Sequence, residues 1–271
     1  MVTESAFFGS SKNIARTEIP QEFRKCHLER PPFACHPPAE GWKQDDADNT
    51  EKSPIEYTLI FVVDRKKNKV LLGYKRRGVG VDLYNGFGGK VESGESIEEC
   101  AARELQEESG LTPEPDGIYY KGCLFSSRPR SALPGDKHVI INIHFFGCDS
   151  WTGEPIPTEE MIPQWFDISA GNSETDHPLP INQMWPEATF YLLPVLQSIL
   201  RDNRDDLLLS RINYGYIPKS ASPNLLLPAL EGKSIRRHLT KDDDKDDVAE
   251  RLISWWMCFA PKVVSNEIEY W

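Results

Sequence analysis

The chain has 271 residues, with 42 acidic against 31 basic side chains, a formal charge of −11 and 39% hydrophobic residues. That length accommodates one domain with extensions, or two. The negative balance weighs against polymeric nucleic acid or an anionic membrane surface as partner, but not against a small anion met locally by a few cations.

Residues 1–54 are polar, carry Pro20, Pro31, Pro32, Pro37 and Pro38, and show no sustained period, so they are expected to form a disordered arm. The first twenty residues lack the apolar core of a secretory signal, and Glu4 and Glu18 give a mitochondrial presequence little support. No apolar run approaches the length of a membrane span. The six cysteines follow no framework, which points to reduced thiols and a cytoplasmic setting, with nucleus or mitochondrion as alternatives. Cys26-His27 and Cys35-His36 match no zinc-finger spacing and read as coincidence.

"YTLIFVVDRKKNKVLLGYKR" reads as a hairpin, with strands over Tyr57–Val63 and Val70–Tyr74 and a turn near Lys66–Asn68. A Gly-rich loop and a charged helix follow. "GIYYKGCLFSS" and "HVIINIHFFGC" read as antiparallel strands separated by a Pro/Arg-rich loop, and "MIPQWFDIS" as a short strand. A second helix is expected from about Pro186 to Arg201, with Pro186 in its first turn and Phe190, Leu193, Leu196 and Leu200 on one face. "DLLLSRINYGYI" adds a strand. Beyond Pro218, "DDDKDD" reads as a linker or a helix start. "VAERLISWWMCFAP" reads as a terminal amphipathic helix that packs on the domain or offers Trp255-Trp256 to a partner. The division is an arm over 1–54, a domain over 55–217 and an extension over 218–271. A sheet flanked by a helix on each side makes an α/β sandwich.

The charged helix holds the chemistry. Ser96 with Glu99 fits a capping box and Gly110 a left-handed C-terminal residue, so the helix spans Ile97 to Ser109. At about 100° per residue, Ile97, Cys100, Ala101 and Leu105 share one side, and Glu98, Glu99, Ala102 and Gln106 the opposite, solvent side. Glu104, Glu107 and Glu108 fall on the apolar side. Like charges at i,i+3 and i,i+4 repel, and burial raises the cost of ionisation, so a solvated acidic face does not explain these three. A hard divalent cation such as Mg²⁺ does, because it takes clustered carboxylate oxygens and shares a substrate's phosphates.

Gly89, Glu95 and the run Arg103-Glu104-Leu105-Gln106-Glu107-Glu108-Ser109-Gly110-Leu111 resemble the Nudix box at every constrained position. Tyr57-Thr58-Leu59, Val70-Leu71-Leu72-Gly73, Lys75, Asn85-Gly86-Phe87-Gly88-Gly89-Lys90 and Met184-Trp185-Pro186 extend the likeness toward the oxidised purine nucleoside triphosphate hydrolases of animals, from about Tyr57 to about Ser198. The resemblance implies an α/β/α sandwich with a mixed sheet, and a loop–helix–loop that binds Mg²⁺ or Mn²⁺ and cleaves a nucleoside diphosphate linked to another group. On that resemblance the metal ligands are Glu104, Glu107, Glu108 and the backbone oxygen of Gly88 or Gly89. Glu107, Glu108 or Glu160 serves as general base.

Arg103 is expected to pair with Glu95 and brace the helix, and Lys75 to face the phosphates of a nucleoside triphosphate. For the base, the resemblance points to Thr58, Asn85, Phe87, Phe125, Met184, Trp185 and Glu187. An amide donates and accepts, and an indole stacks. The match departs at Glu187-Ala188, where the animal enzymes carry two aspartates, and at Ser127 and Val79, which stand where those have aromatics. The expected protein is a monomer that hydrolyses 8-oxo-dGTP well and 2-oxo-dATP poorly, to the monophosphate and pyrophosphate, because Glu187-Ala188 offers one carboxyl where the animal enzymes have two. The alternatives are hydrolysis of another nucleotide or dinucleotide, and a non-catalytic nucleotide-sensing module. Such modules usually lose box carboxylates, and this chain keeps them.

Overall fold

A computed structural model describes residues 19–26, 28, 32–36, 53–129, 138–168, 176–218 and 248–262. In chain order the strands and helices are β1 (Ala34–His36), β2 (Ile55–Asp64), β3 (Lys69–Lys75), β4 (Tyr84–Asn85), α1 (Ile97–Ser109), β5 (Thr112–Pro113), β6 (Ile118–Pro129), β7 (His138–Cys148), β8 (Trp151–Thr152), β9 (Met161–Asp167), α2 (Ala188–Leu200), β10 (Asp206–Pro218) and β11 (Val248–Pro261). The main sheet runs β1-β11-β10-β6-β7-β2-β3-β4, with β9 also paired to β3. It is mixed: β2 runs parallel to β7 and β10 parallel to β6, and the other pairs are antiparallel.

A strand buried on both faces needs an uninterrupted apolar run, and β2 supplies one from Leu59 to Val63. Pleating sends Ile60 and Val62 to one face, where they meet Leu71, Phe87, Ala101 and Leu105 under α1. Leu59, Phe61 and Val63 go to the other, against Leu192, Val195 and Ile199 of α2. Each such side chain contributes about 1.5–3 kcal/mol on burial, so β2 is the centre of both cores. The β2–β3 turn closes on Asp64, whose Oδ1 accepts from the Lys66 and Lys67 amides at 3.0 Å each. Asn68 takes the left-handed conformation at φ 54°.

Three expectations are corrected. The terminal amphipathic helix is the strand β11, paired antiparallel with β10 from Asp206↔Pro261 to Pro218↔Val248. Its Ile, Trp, Phe and Val content suits a pleated surface, and Leu252, Ile253, Trp256, Met257 and Cys258 are buried on both sides of it. The arm is not wholly unstructured. Phe23 is buried, stacks on Trp256 at 5.5 Å, and β1 pairs with β11. The α2 face also differs: Tyr191, Leu192, Val195, Leu196 and Ile199 are buried, whereas Phe190, Leu193 and Leu200 only flank that core. Phe190 instead stacks on Trp255 at 4.7 Å, so β11 supplies the wall that turns the helix.

Candidate active site

Local sequence places α1. The Ser96 side chain accepts from the Glu99 amide at 3.1 Å, Glu99 Oε2 accepts from the Ser96 amide at 2.7 Å, and Gly110 closes the helix at φ 78°. Cys100, Ala101 and Leu105 then face the sheet. The three carboxylates one turn further along are not equivalent. The side chain of Glu108 is 3% exposed, that of Glu104 14% and that of Glu107 56%. The inward placement expected for all three thus holds for Glu104 and Glu108, while Glu107 stands on the rim.

Cations hold this cluster. Lys75 Nζ donates to Glu108 Oε1 at 3.2 Å, and the Gly88 amide to Oε2 at 2.8 Å. Arg103 donates to both oxygens of Glu95, at 2.8 and 3.1 Å, and through Nη1 to Glu104 at 2.9 Å and Glu107 at 3.2 Å. The Arg103 fork keeps Glu95 in its charged form, with a pKa lowered to about 2, and its own pKa is raised in return. Burial acts the other way on Glu108, pushing it to about 7 against the opposing pull of Lys75, and it also raises Glu104. Among the described residues no three His, Cys, Asp or Glu side chains converge on one point: Arg103 Nη1 bridges Glu104 and Glu107, while Lys75 and the Gly88 amide hold Glu108.

Gly88 is required by the backbone, and Gly89 leaves the Glu104 carboxylate its place. A Cβ on Gly88, at φ 151°, would lie 2.1 Å from the Thr58 carbonyl oxygen, and one on Gly89 would lie 2.2 Å from Glu104 Oε1. The chain therefore passes under the carboxylates with its backbone bare.

The remaining expected residues divide. Thr58 is buried under α1, with its hydroxyl 3.4 Å from Cys100 Sγ, and Phe87 is fully buried in the α1-side core. Neither side chain lines an open pocket. Phe125 packs edge-on against Phe23 at 5.8 Å, on the strand face opposite Arg128. Asn85 is half-buried on β4 opposite Gly73, and Met184 is buried in the α2-side core. Glu160 accepts from Arg77 Nε at 2.9 Å, while the neighbouring Thr158 hydroxyl donates to the Glu108 carbonyl at 3.4 Å.

Trp185 and Glu187 form a second cluster with two residues that the sequence reading missed. The Arg128 guanidinium lies over the Trp185 ring at 4.9 Å, and the Tyr214 hydroxyl donates to Glu187 Oε2. Neither carries a motif signal, because each reaches the cluster from a distant strand. Ala188, where a second carboxyl stands in the animal enzymes, is 1% exposed in the α2-side core.

Residues 55–183 match the model of the NUDIX domain. The chain is 40% identical over 140 residues to the oxidized purine nucleoside triphosphate hydrolase of Danio rerio, covering 52% of this chain and 78% of that protein. It belongs to the Nudix family. Two further Nudix likenesses are weaker. The 8-oxo-dGTP diphosphatase of Escherichia coli is 30% identical over 46% of this chain and 88% of its own length. The NAD-capped RNA hydrolase NudC of Vibrio atlanticus is 30% identical over 62% and 58%. This Nudix chain is thus a hydrolase, and its box carboxylates sit on the helix described above. Among the described residues no helix is long and apolar enough to cross a membrane.

Proposed function

We propose that this Nudix hydrolase cleaves oxidised purine nucleoside triphosphates, 8-oxo-dGTP foremost and 2-oxo-dATP less well, to the monophosphate and pyrophosphate, clearing damaged precursors from the cytoplasmic nucleotide pool as a monomer. One observation carries this reading. The loop that leaves β3 joins a charged cluster to an indole: Lys75 at its start reaches Glu108, and Gly80 within it lies against Trp185, where an added Cβ would be 3.2 Å from Nε1. A triphosphate met by the first end would present its base to the second.

Glu104, Glu107 and Glu108, with the Gly88 or Gly89 carbonyl, would hold Mg²⁺, with Mn²⁺ as the alternative. These are hard oxygen donors, and the two carboxyls that burial pushes up are those whose charged forms gain most from a cation. When bound, the ion supplies charge neutralisation on phosphate oxygens and a more acidic water. The chain's own groups do the rest. Lys75 balances phosphate charge, Arg103 fixes the helix against Glu95, and the bare Gly88–Gly89 backbone leaves room for the phosphates. Of the candidate proton acceptors, Glu108 is held nearest neutrality, Glu107 is open to solvent and Glu160 is engaged by Arg77. Water forms the new P–O bond, the bridge between the α- and β-phosphates breaks, and pyrophosphate leaves.

The deciding measurement is kcat/KM with Mg²⁺ for 8-oxo-dGTP, 2-oxo-dATP, dGTP and NADH. A lead of at least about tenfold for 8-oxo-dGTP over dGTP, about 1.4 kcal/mol, is expected. A lead for dGTP removes the sanitation reading, and a lead for NADH installs the second reading, a dinucleotide substrate, to which the likeness to NudC points.

A further inference from the structure

Four separate parts of the chain meet at Glu187. Arg128, near the end of β6, places its guanidinium carbon 3.8 Å from the centroid of the Tyr214 ring and 4.9 Å from that of Trp185. Its Nη2 lies 3.7 Å from Glu187 Oε1, and Tyr214, on β10, donates its hydroxyl to the other carboxylate oxygen. The loop after β3 closes the group through the contact of Gly80 with the indole. The Glu187 side chain is 7% exposed and that of Arg128 22%, so this carboxylate lies out of bulk water facing the Arg128 guanidinium. A buried charge is tolerated when paired and hydrogen-bonded, and here Oε2 accepts from Tyr214 while Oε1 is ion-paired with Arg128.

We propose that Arg128 determines base specificity: it holds Glu187 as an acceptor beside a guanidinium donor, and a pocket so equipped selects a guanine-type purine edge over an adenine-type one. This rests on the reading above that Trp185 and Glu187 receive the base. A guanine edge carries the N1–H and N2–H donors next to the O6 acceptor. The carboxylate takes the donors, and the guanidinium, already beside it, meets the oxygen. An adenine edge turns the N1 lone pair toward the carboxylate, which repels it and leaves a buried acceptor unmatched. Arginine is the residue that fits. Its guanidinium lies over the Tyr214 and Trp185 rings with Nη2 3.7 Å from Glu187, whereas the ammonium of lysine is a point charge without a plane. Arg128 is thus a positioning residue for Glu187 and a contact for the base.

The test uses the full chain and its Arg128→Leu, Arg128→Lys and Tyr214→Phe variants, with folding checked by circular dichroism. The readouts are kcat and KM, with Mg²⁺, for 8-oxo-dGTP and 8-oxo-dATP, and quenching of tryptophan fluorescence by each nucleotide. Wild type is expected to favour the guanine substrate at least tenfold in kcat/KM. Arg128→Leu lowers that ratio at least tenfold, chiefly by raising KM for 8-oxo-dGTP. Arg128→Lys recovers less than half of the loss, and Tyr214→Phe lowers the ratio two- to fivefold. Should Arg128→Leu not fold, the other two variants decide on the same ratio. Loss in equal proportion on both substrates, with the ratio unmoved, means a merely structural arginine and overturns the proposal while leaving the sanitation reading intact. Wild type that neither binds nor hydrolyses any purine triphosphate overturns both.

Discussion

At the residue scale, the carboxylate of Glu108 stands apart, because burial and catalysis ask opposite things of it. Its pKa is raised from 4.5 to about 7, so the native state binds this proton more tightly than the unfolded chain does. The sign follows: the contribution to stability is fully present below about pH 4.5 and is lost as the pH rises through about 7. Glu108→Gln keeps an acceptor for the Gly88 amide and cannot ionise. It should therefore be more stable than wild type at pH 8, by on the order of 1–3 kcal/mol without added metal, and lose that advantage near pH 5. The same variant should lose at least about a hundredfold in turnover, close to 3 kcal/mol. Urea unfolding at the two pH values and a pyrophosphate assay check this. An advantage that does not grow with pH would mean that Glu108 is not strained by burial.

The element that most changes the picture is the strand pair at the far end of the sheet from β4. Arg211 on β10 is 2% exposed and pairs with Glu22, while its Nε donates to Asn213 Oδ1 at 3.0 Å. Phe23, next to Glu22, fills the space over Trp256 and Phe125. An arm that composition reads as disordered thus delivers a counter-ion and an aromatic plug. Glu22→Gln should destabilise the protein by about 3 kcal/mol, since removing one partner strands a buried cation. Deleting residues 1–36 should cost more, with a red-shifted tryptophan emission as Trp256 meets water. Turnover per folded molecule should stay near wild type, because the box lies beyond β6 and β7. A truncated protein as stable as the full chain would show that the described arm contacts carry no energy.

For the whole molecule, β11 decides whether the sheet is finished. Without it β10 would present an open ladder and the apolar faces that Leu252, Trp256 and Met257 now cover. A chain ending at Pro218 is expected to be insoluble or to aggregate on purification, whereas the full chain elutes as a single species. A soluble, active 1–218 product would place the finished domain within 55–217, as composition alone implied.

What the sequence determined by itself is what short range determines. The capping box, Gly110, the apolar stripe of α1 and the Glu95–Arg103 pair are set by spacing along one helix and its preceding loop, and all were legible there. The β2–β3 hairpin was legible for the same reason, since a turn and two apolar runs specify it locally. The tertiary structure decided everything that depends on which strand lies beside which. "VAERLISWWMCFAP" has a composition open to either helix or strand, and pairing with β10 settles it, because a strand there satisfies both the β10 edge and two apolar faces. The alternation along β6 sends Phe125 to Phe23 and Arg128 to Trp185, a division that cannot be read until the two faces have been assigned. The helical period puts Glu108 at the middle of the apolar arc and Glu107 at its edge, and how far α1 sinks against the sheet decides that the edge stays exposed.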